Sequence, residues 1–153
     1  LVAEEDGKVL VRAQGEATLI RLDGAPSDFL AEFTLIPSSD AACRFRFRVP
    51  GYNNDLGYYF GADWAKQEVR IGNAYHHSDS NSGFSDRDIV LVPEEPLHVQ
   101  LFMHDEVIEC FVENTCTLTM NAHDLDRGDM YFEVLQGAIE ITNFNVRVPE
   151  DPK

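Results

Sequence analysis

The sequence predicts an all-β chain, an antiparallel β-sandwich of the jelly-roll kind, and three observations carry that prediction. Apolar and polar residues alternate in run after run, which is the period of a half-buried strand. Gly, Pro, Asn, Asp and Ser punctuate those runs at short intervals, giving about eleven short strands and hardly any helix. The 153 residues are 44% hydrophobic and include ten Phe, enough for one domain with its own core and too apolar for disorder.

Residues 8–14 and 17–22 read as a first pair of strands, parted near Gly15-Glu16. Residues 28–36 form a longer strand, with Phe29, Ala31, Phe33 and Leu35 on one face and Leu30, Glu32, Thr34 and Ile36 on the other. Pro37-Ser38-Ser39-Asp40 turns the chain. In the next strand Cys43, Phe45, Phe47 and Val49 alternate with Arg44, Arg46 and Arg48. Three of the twelve basic residues on one strand face repel one another unless carboxylates lie opposite. That face is either simply solvated, or it is where Arg46 or Arg48 meets Glu32, Glu109 or Glu113 around a polar ligand.

After Pro50-Gly51-Tyr52-Asn53-Asn54, a hairpin closing at Trp64-Ala65 pairs Phe60 with Val69, Gly61 with Glu68 and Tyr59 with Arg70. Tyr59, Glu68 and Arg70 then share a face, and Gly61 leaves a gap beside Glu68 where a ligand or another backbone can approach. Trp64, the single tryptophan, stands at the hairpin tip, either folded over the rim of the core or open for stacking on a sugar. Residues 74–88 read as a long polar loop, in which the neighbours His76 and His77 point to opposite sides and make a poor metal pair. Residues 89–92 read as a short strand, followed by a turn at Pro93-Glu94-Glu95-Pro96.

The plainest element is the run from His98 to Thr119. A turn at Asp105-Glu106 pairs His104 with Val107, Met103 with Ile108, Leu101 with Cys110 and Val99 with Val112. One face is uniformly apolar; the other carries Gln100, Phe102, His104, Glu109, Phe111 and Glu113, a mixture of aromatics and carboxylates suited to a binding surface. Beyond it, Asp124, Asp126 and Asp129 are candidate calcium ligands, but they lack the EF-hand's Gly and Glu spacing, and an ordinary Asp/Gly turn is the simpler reading. No cofactor is therefore expected, a structural calcium at that turn being the one alternative. Two last strands follow, and in the second the apolar parity shifts between Ile141 and Phe144, as a β-bulge requires.

The anchor hairpin also carries a resemblance. Asp105, Glu109, Phe111, Asn114, Leu118 and Thr119 form a pattern similar to that of the C-terminal β-sandwich of glycoside hydrolase family 32 (invertases, inulinases, levanases) and of carbohydrate-binding module family 66. A weaker match lies in SDFLAEFTLIP and RFRFRV, so that the likeness spans residues 27–148. It implies a concanavalin/laminin-G-like sandwich over residues 1–153, excised from a larger extracellular protein. It also implies binding of terminal fructose of fructans (levan or inulin), a covalently linked catalytic domain, and roles for Glu109 and the Phe111 platform.

Charge and motifs bound the rest. A net charge of −15 repels nucleic acid and anionic membranes and suits a monomer that meets neutral polysaccharides. No apolar run approaches the ~20 residues of a membrane span. The chain opens Leu1-Val2-Ala3-Glu4-Glu5-Asp6, without Met or a leader, and is read as part of a longer protein. Of three cysteines, Cys43 and Cys110 fall on core faces as small hydrophobes; a bridge from Cys116 to either stays open. No nucleophile elbow, phosphate loop or His-Glu-x-x-His motif is present. Glu109 and Glu113 lie about 13 Å apart along a strand, beyond the ~5–9.5 Å of glycosidase pairs.

A non-catalytic sugar-binding module is therefore expected. Its ligand face would combine Glu32, Arg44, Arg46, Arg48, Tyr59, Trp64, Glu68, Arg70, Glu109, Phe111 and Glu113, because guanidinium and carboxylate groups grip vicinal hydroxyls in pairs. The alternatives are a purely structural accessory sandwich, whose mixed face packs on the catalytic domain, and a module for another polysaccharide.

Overall fold

The structure is a computed structural model that describes residues 2–5, 8–13, 17–22, 25–38, 40–51, 56–73, 85–113, 116–122 and 125–148. Its strands are β1 (Val2–Glu5), β2 (Lys8–Arg12), β3 (Thr18–Leu22), β4 (Phe29–Pro37), β5 (Ala42–Val49), β6 (Tyr58–Asp63) and β7 (Glu68–Asn73), then β8 (Ser85–Asp88), β9 (Leu97–His104), β10 (Val107–Val112), β11 (Cys116–Asn121), β12 (Asp129–Gln136) and β13 (Ala138–Arg147). They form two antiparallel sheets, one ordered β1-β2-β13-β4-β9-β10-β11 and the other β3-β12-β5-β6-β7-β8. No helix occurs among the described residues.

Alternation along each strand sends one row of side chains into the space between the sheets. The core there is largely aromatic. Phe29 and Phe33 of β4 interleave with Phe45 and Phe47 of β5 and Phe132 of β12, with ring centroids as close as 5.1 Å, and the exposed Phe144 of β13 packs against their rim. Many of these contacts are edge-to-face, the arrangement favoured by the ring quadrupoles.

The anchor hairpin folds in the expected register, with Val107 opposite His104 and Val112 opposite Val99. Its apolar face (Val99, Leu101, Met103, Ile108, Cys110, Val112) is fully buried. The bulge in β13 is present too: pairing with β4 slips between Thr142 and Asn145, and Asn143 takes a left-handed conformation (φ 54°). Asn tolerates that conformation better than most residues, and the slip turns Phe144 toward the aromatic cluster.

Other expectations are corrected. The strands at 8–12 and 18–22 do not pair; they enter different sheets, as do β12 and β13. Residues 85–88, placed in the polar loop, form β8, whereas 89–92 are not a strand; His76 and His77 lie outside the described residues. The β6–β7 hairpin has a four-residue loop, Trp64 to Gln67, and pairs Gly61 with Arg70 and Asp63 with Glu68. That is a slip of two residues, which preserves which side chains share a face. Trp64 is 3% exposed and folds over the core.

Arg48 departs most from its pattern. It does not continue the row of Arg44 and Arg46, because β5 bulges there against β12 and Arg48 adopts φ 50°. Its guanidinium is 3% exposed and donates to the Ser27 and Leu125 carbonyls at 3.0 Å and to Asp28 Oδ1 at 3.2 Å. Asp28 in turn accepts from the Asp105 amide and lies 3.3 Å from His104 Nδ1 at the anchor hairpin tip. One buried cation thus ties β5 of one sheet to the entry of β4 and the β9–β10 tip of the other.

Arg48→Met should therefore cost about 3–5 kcal/mol, since it strands a carboxylate and two carbonyls without their donor. At roughly 2–4 °C per kcal/mol for a domain of this size, calorimetry should show Tm falling by at least about 6 °C. None of the three cysteines is in a disulfide. Burial pushes the Cys43 thiol up to about 12 and raises Cys110 as well. The folded chain keeps protons that unfolded thiols release near 9, so this contribution is full below pH ~9 and is lost as pH rises toward 12. A thiol reagent at pH 8 should label Cys116 alone in the native protein and all three cysteines in denaturant.

Candidate functional site

The outer face of the six-stranded sheet can be read off the strand pairing as rows of neighbouring side chains. One row runs Glu133, Arg44, Gly61, Arg70 across β12, β5, β6 and β7. The next runs Tyr131, Arg46, Tyr59, Gly72, and on the other side Asp63 lies beside Glu68. The two glycines explain the shape of the surface. A Cβ on Gly72 would lie 2.9 Å from the Tyr59 hydroxyl, and one on Gly61 would touch its ring carbons at 3.4 Å. Tyr59 therefore lies down over the bare backbone of β6 and β7 and is only 9% exposed.

Arg44 covers that ring, with its guanidinium carbon 4.7 Å from the ring centroid, within cation–π range. The guanidinium is thereby held over the ring, and Glu133 stands 4.0 Å away. Across the glycine gap Arg70 pairs with Glu68 at 3.2 Å. Arg46 is buried and donates to the Leu56 carbonyl at 3.0 Å. Together Arg44, Tyr59, Asp63, Lys66, Glu68 and Arg70 border a shallow pocket of about 90 Å³.

From β3 across β12, β5 and β6 to β7 the charges of this face nearly cancel. Arg21, Arg44, Arg46, Lys66 and Arg70 stand against Asp63, Glu68, Asp129 and Glu133, and the register adds Asp86 and Asp88 at the β8 edge, in a chain whose net charge is −15. The surface offers guanidinium and carboxylate edges side by side with almost no net charge. That suits a neutral polyol, whose hydroxyls both donate and accept, better than an anion or a cation.

The residues expected on one binding face are thus divided between two. Tyr59, Glu68 and Arg70 share the six-stranded face, with Arg46 beneath it. Glu32, Glu109 and Phe111 stand on the outer face of the seven-stranded sheet, on the far side of the core. Arg48 and Trp64 are buried away from either face. Glu109 is exposed between Phe102 and Thr119, whereas Glu32 and Phe111 border a second pocket, of about 260 Å³, with Thr34, His98, Gln100, Glu113 and Asn143.

Of the candidate calcium ligands, Asp124 is outside the described residues, Asp126 pairs with Arg127 and Asp129 with Arg21. The one three-membered group of potential metal ligands among the described residues is Asp28, His104 and Asp105, and Asp28 there is already bound to Arg48. Sequence reasoning missed Glu133 and Gly72. Glu133 sits in a strand whose sheet partner could not be read, and Gly72 matters only once Tyr59 is known to lie beside it.

No protein-family model matches the chain, and no curated protein is similar to it in sequence. Solved structures are similar in fold. Carbohydrate-binding module CBM66 from Bacillus subtilis superposes with a TM-score of 0.80 at 13% identity, over 96% of this chain and 91% of that one. Fructosyltransferase from A. japonicus matches at TM-score 0.73 and 12% identity, with 99% of this chain lying on 26% of the enzyme. Galectin LEC-6 from Caenorhabditis elegans matches at TM-score 0.61 and 14% identity, over 95% and 99% of the two chains. At such identities the fold is what is shared, and it agrees with the resemblance carried by the anchor hairpin: the chain has the β-sandwich fold of the CBM66 module, found also as part of a fructosyltransferase and in galectins.

Proposed function

We propose that the chain is a non-catalytic carbohydrate-binding module. Its ligand is the terminal fructose of a fructan, and its task is to hold an attached glycoside hydrolase at its substrate outside the cell. The observation that carries this reading is the charge-balanced pocket in which Arg44 lies over the Tyr59 ring and faces Arg70 and Glu68 across Gly61. Each guanidinium can donate two parallel hydrogen bonds to adjacent hydroxyls, and each carboxylate can accept two. The two carboxylates that line the pocket each have a basic or amide partner, Glu68 with Arg70 and Asp63 with the Lys66 amide. That is unlike the apolar surroundings of a glycosidase's general acid, and it favours recognition over catalysis. The choice of fructose rests on the anchor-hairpin resemblance and on the likeness in fold to CBM66 and to a fructosyltransferase. The likeness to galectins makes a galactoside the natural competitor among ligands.

Isothermal titration with levan, inulin, fructose, xylan and lactose tests the proposal. Heat is expected with levan and fructose, and Glu68→Gln or Arg70→Met should weaken it about 10- to 100-fold, the worth of one or two hydrogen bonds to a charged group. Heat with lactose alone would replace fructose by a galactoside; heat with none would leave a structural accessory domain. Gly72→Ala should also weaken binding, because the new methyl displaces Tyr59 and with it Arg44. Its Tm should fall by about 2–8 °C, since the ring that moves is largely buried and the methyl overpacks it.

A further inference from the structure

We infer that the chain has a second saccharide site, on the outer face of the seven-stranded sheet, and that the module is therefore bivalent toward its polymer. The inference rests on the reading of the chain as a sugar-binding module, but on separate residues across the core.

The second pocket, about 260 Å³, is the roomier of the two and lies where β13, β4, β9 and β10 adjoin. Phe33 and Val99 send their side chains into the core, so what they present to the pocket is main chain. The bulge at Asn143 breaks the β13–β4 ladder at this point and brings the Asn143 residue to the pocket's edge. The polar groups around it are individually held. Thr34 and His98 share a hydrogen bond of 2.9 Å, and Glu32 accepts from Arg147 at 2.9 Å and from Gln100 at 3.4 Å. Glu113, at φ 53°, donates its amide to the His98 carbonyl and accepts the His98 amide on its carboxylate at 2.6 Å.

One wall is different. Phe111 is half-buried and braced edge-on by Phe102, their centroids 5.9 Å apart. An aromatic wall beside fixed amide, carboxylate and imidazole groups matches a pyranose or furanose ring, which has an apolar C–H face and a rim of hydroxyls. A plain solvated sheet face has no need of a cavity there, and two non-glycine residues in left-handed conformation both border it. Two weak sites on opposite faces would let one module grip neighbouring chains of a polysaccharide, raising the retention of the whole by avidity.

The test is an amide-resolved NMR titration of the whole chain with short levan and inulin oligosaccharides and with lactose. Three proteins are compared: wild type, the Glu68→Gln/Arg70→Met double variant, and a Phe111→Ala/Glu32→Gln double variant. Gln at position 32 still accepts from Arg147, and Phe111 stands outside the core, so the second variant keeps its fold, as its spectrum would verify. In wild type two groups of amides should move, one around Tyr59, Arg70 and Gly72 and one around His98, Phe111 and Asn143. Each double variant should silence its own group and leave the Kd of the other within about a factor of two, as expected of distant sites. Movement confined to the Tyr59 group, unaltered in the Phe111 variant, would overturn the second site and leave the proposed function standing. Movement confined to the Phe111 group would uphold the second site and remove the first. No movement with any sugar would overturn both.

Discussion

The Arg48 guanidinium is the interaction on which the rest of the structure depends. A sandwich of two sheets has a dry core but no intrinsic reason to fix one sheet's rows against the other's, because interleaved Phe rings can slide and repack. Arg48 removes that freedom at one end. It leaves its own strand through a left-handed residue and binds Ser27, Asp28 and Leu125, while Asp28 reaches on to the β9–β10 tip. A buried cation is tolerable only when its donors are used, and here the acceptors come from two segments distant in sequence, Ser27-Asp28 and Leu125. The bulge that frees Arg48 also ends the regular part of β5, so it delimits the strand on which Arg44 and Arg46 are displayed.

With the core closed in this way, the two outer faces are chemically independent. The six-stranded face gathers arginines and answers each with a carboxylate or a carbonyl, arranging donors and acceptors with little net charge. Glycines at 61 and 72 do as much as the charged groups, because they let Tyr59 lie close over their backbone and so place the ring under Arg44. The seven-stranded face is built on other terms, with Phe111 braced by Phe102 beside a bulge that opens the ladder. Both faces rest on strands rather than on loops, which suits the rigid platform that the proposed sugar sites require.

Local periodicity made much of the fold legible. The anchor hairpin could be read to the residue because its turn and its apolar face agree on one register. The parity break before Phe144 announced the β13 bulge. What periodicity cannot give is which strands share a sheet, and that is where the reading of the site failed. Arg46 and Glu109 look like neighbours when hairpins are laid side by side, but β5 and β10 belong to different layers. Arg48 shows the limit within a single strand: in sequence it continues the row of Arg44 and Arg46, and only the bulge takes it out of phase. The slip in the β6–β7 hairpin came from placing Trp64 in a two-residue tip, where packing of its ring against the core instead favours a four-residue loop.

The account turns on whether the charge-balanced face of the six-stranded sheet receives a sugar. The most direct measurement is a crystal structure of the chain soaked with a short levan oligosaccharide. The account predicts a terminal fructosyl ring over the glycine gap, its adjacent hydroxyls within about 3 Å of the Arg44 or Arg70 guanidinium and of Glu68. A bound sugar that avoids this face, with Arg44 still over the Tyr59 ring and only water beside it, would contradict the account.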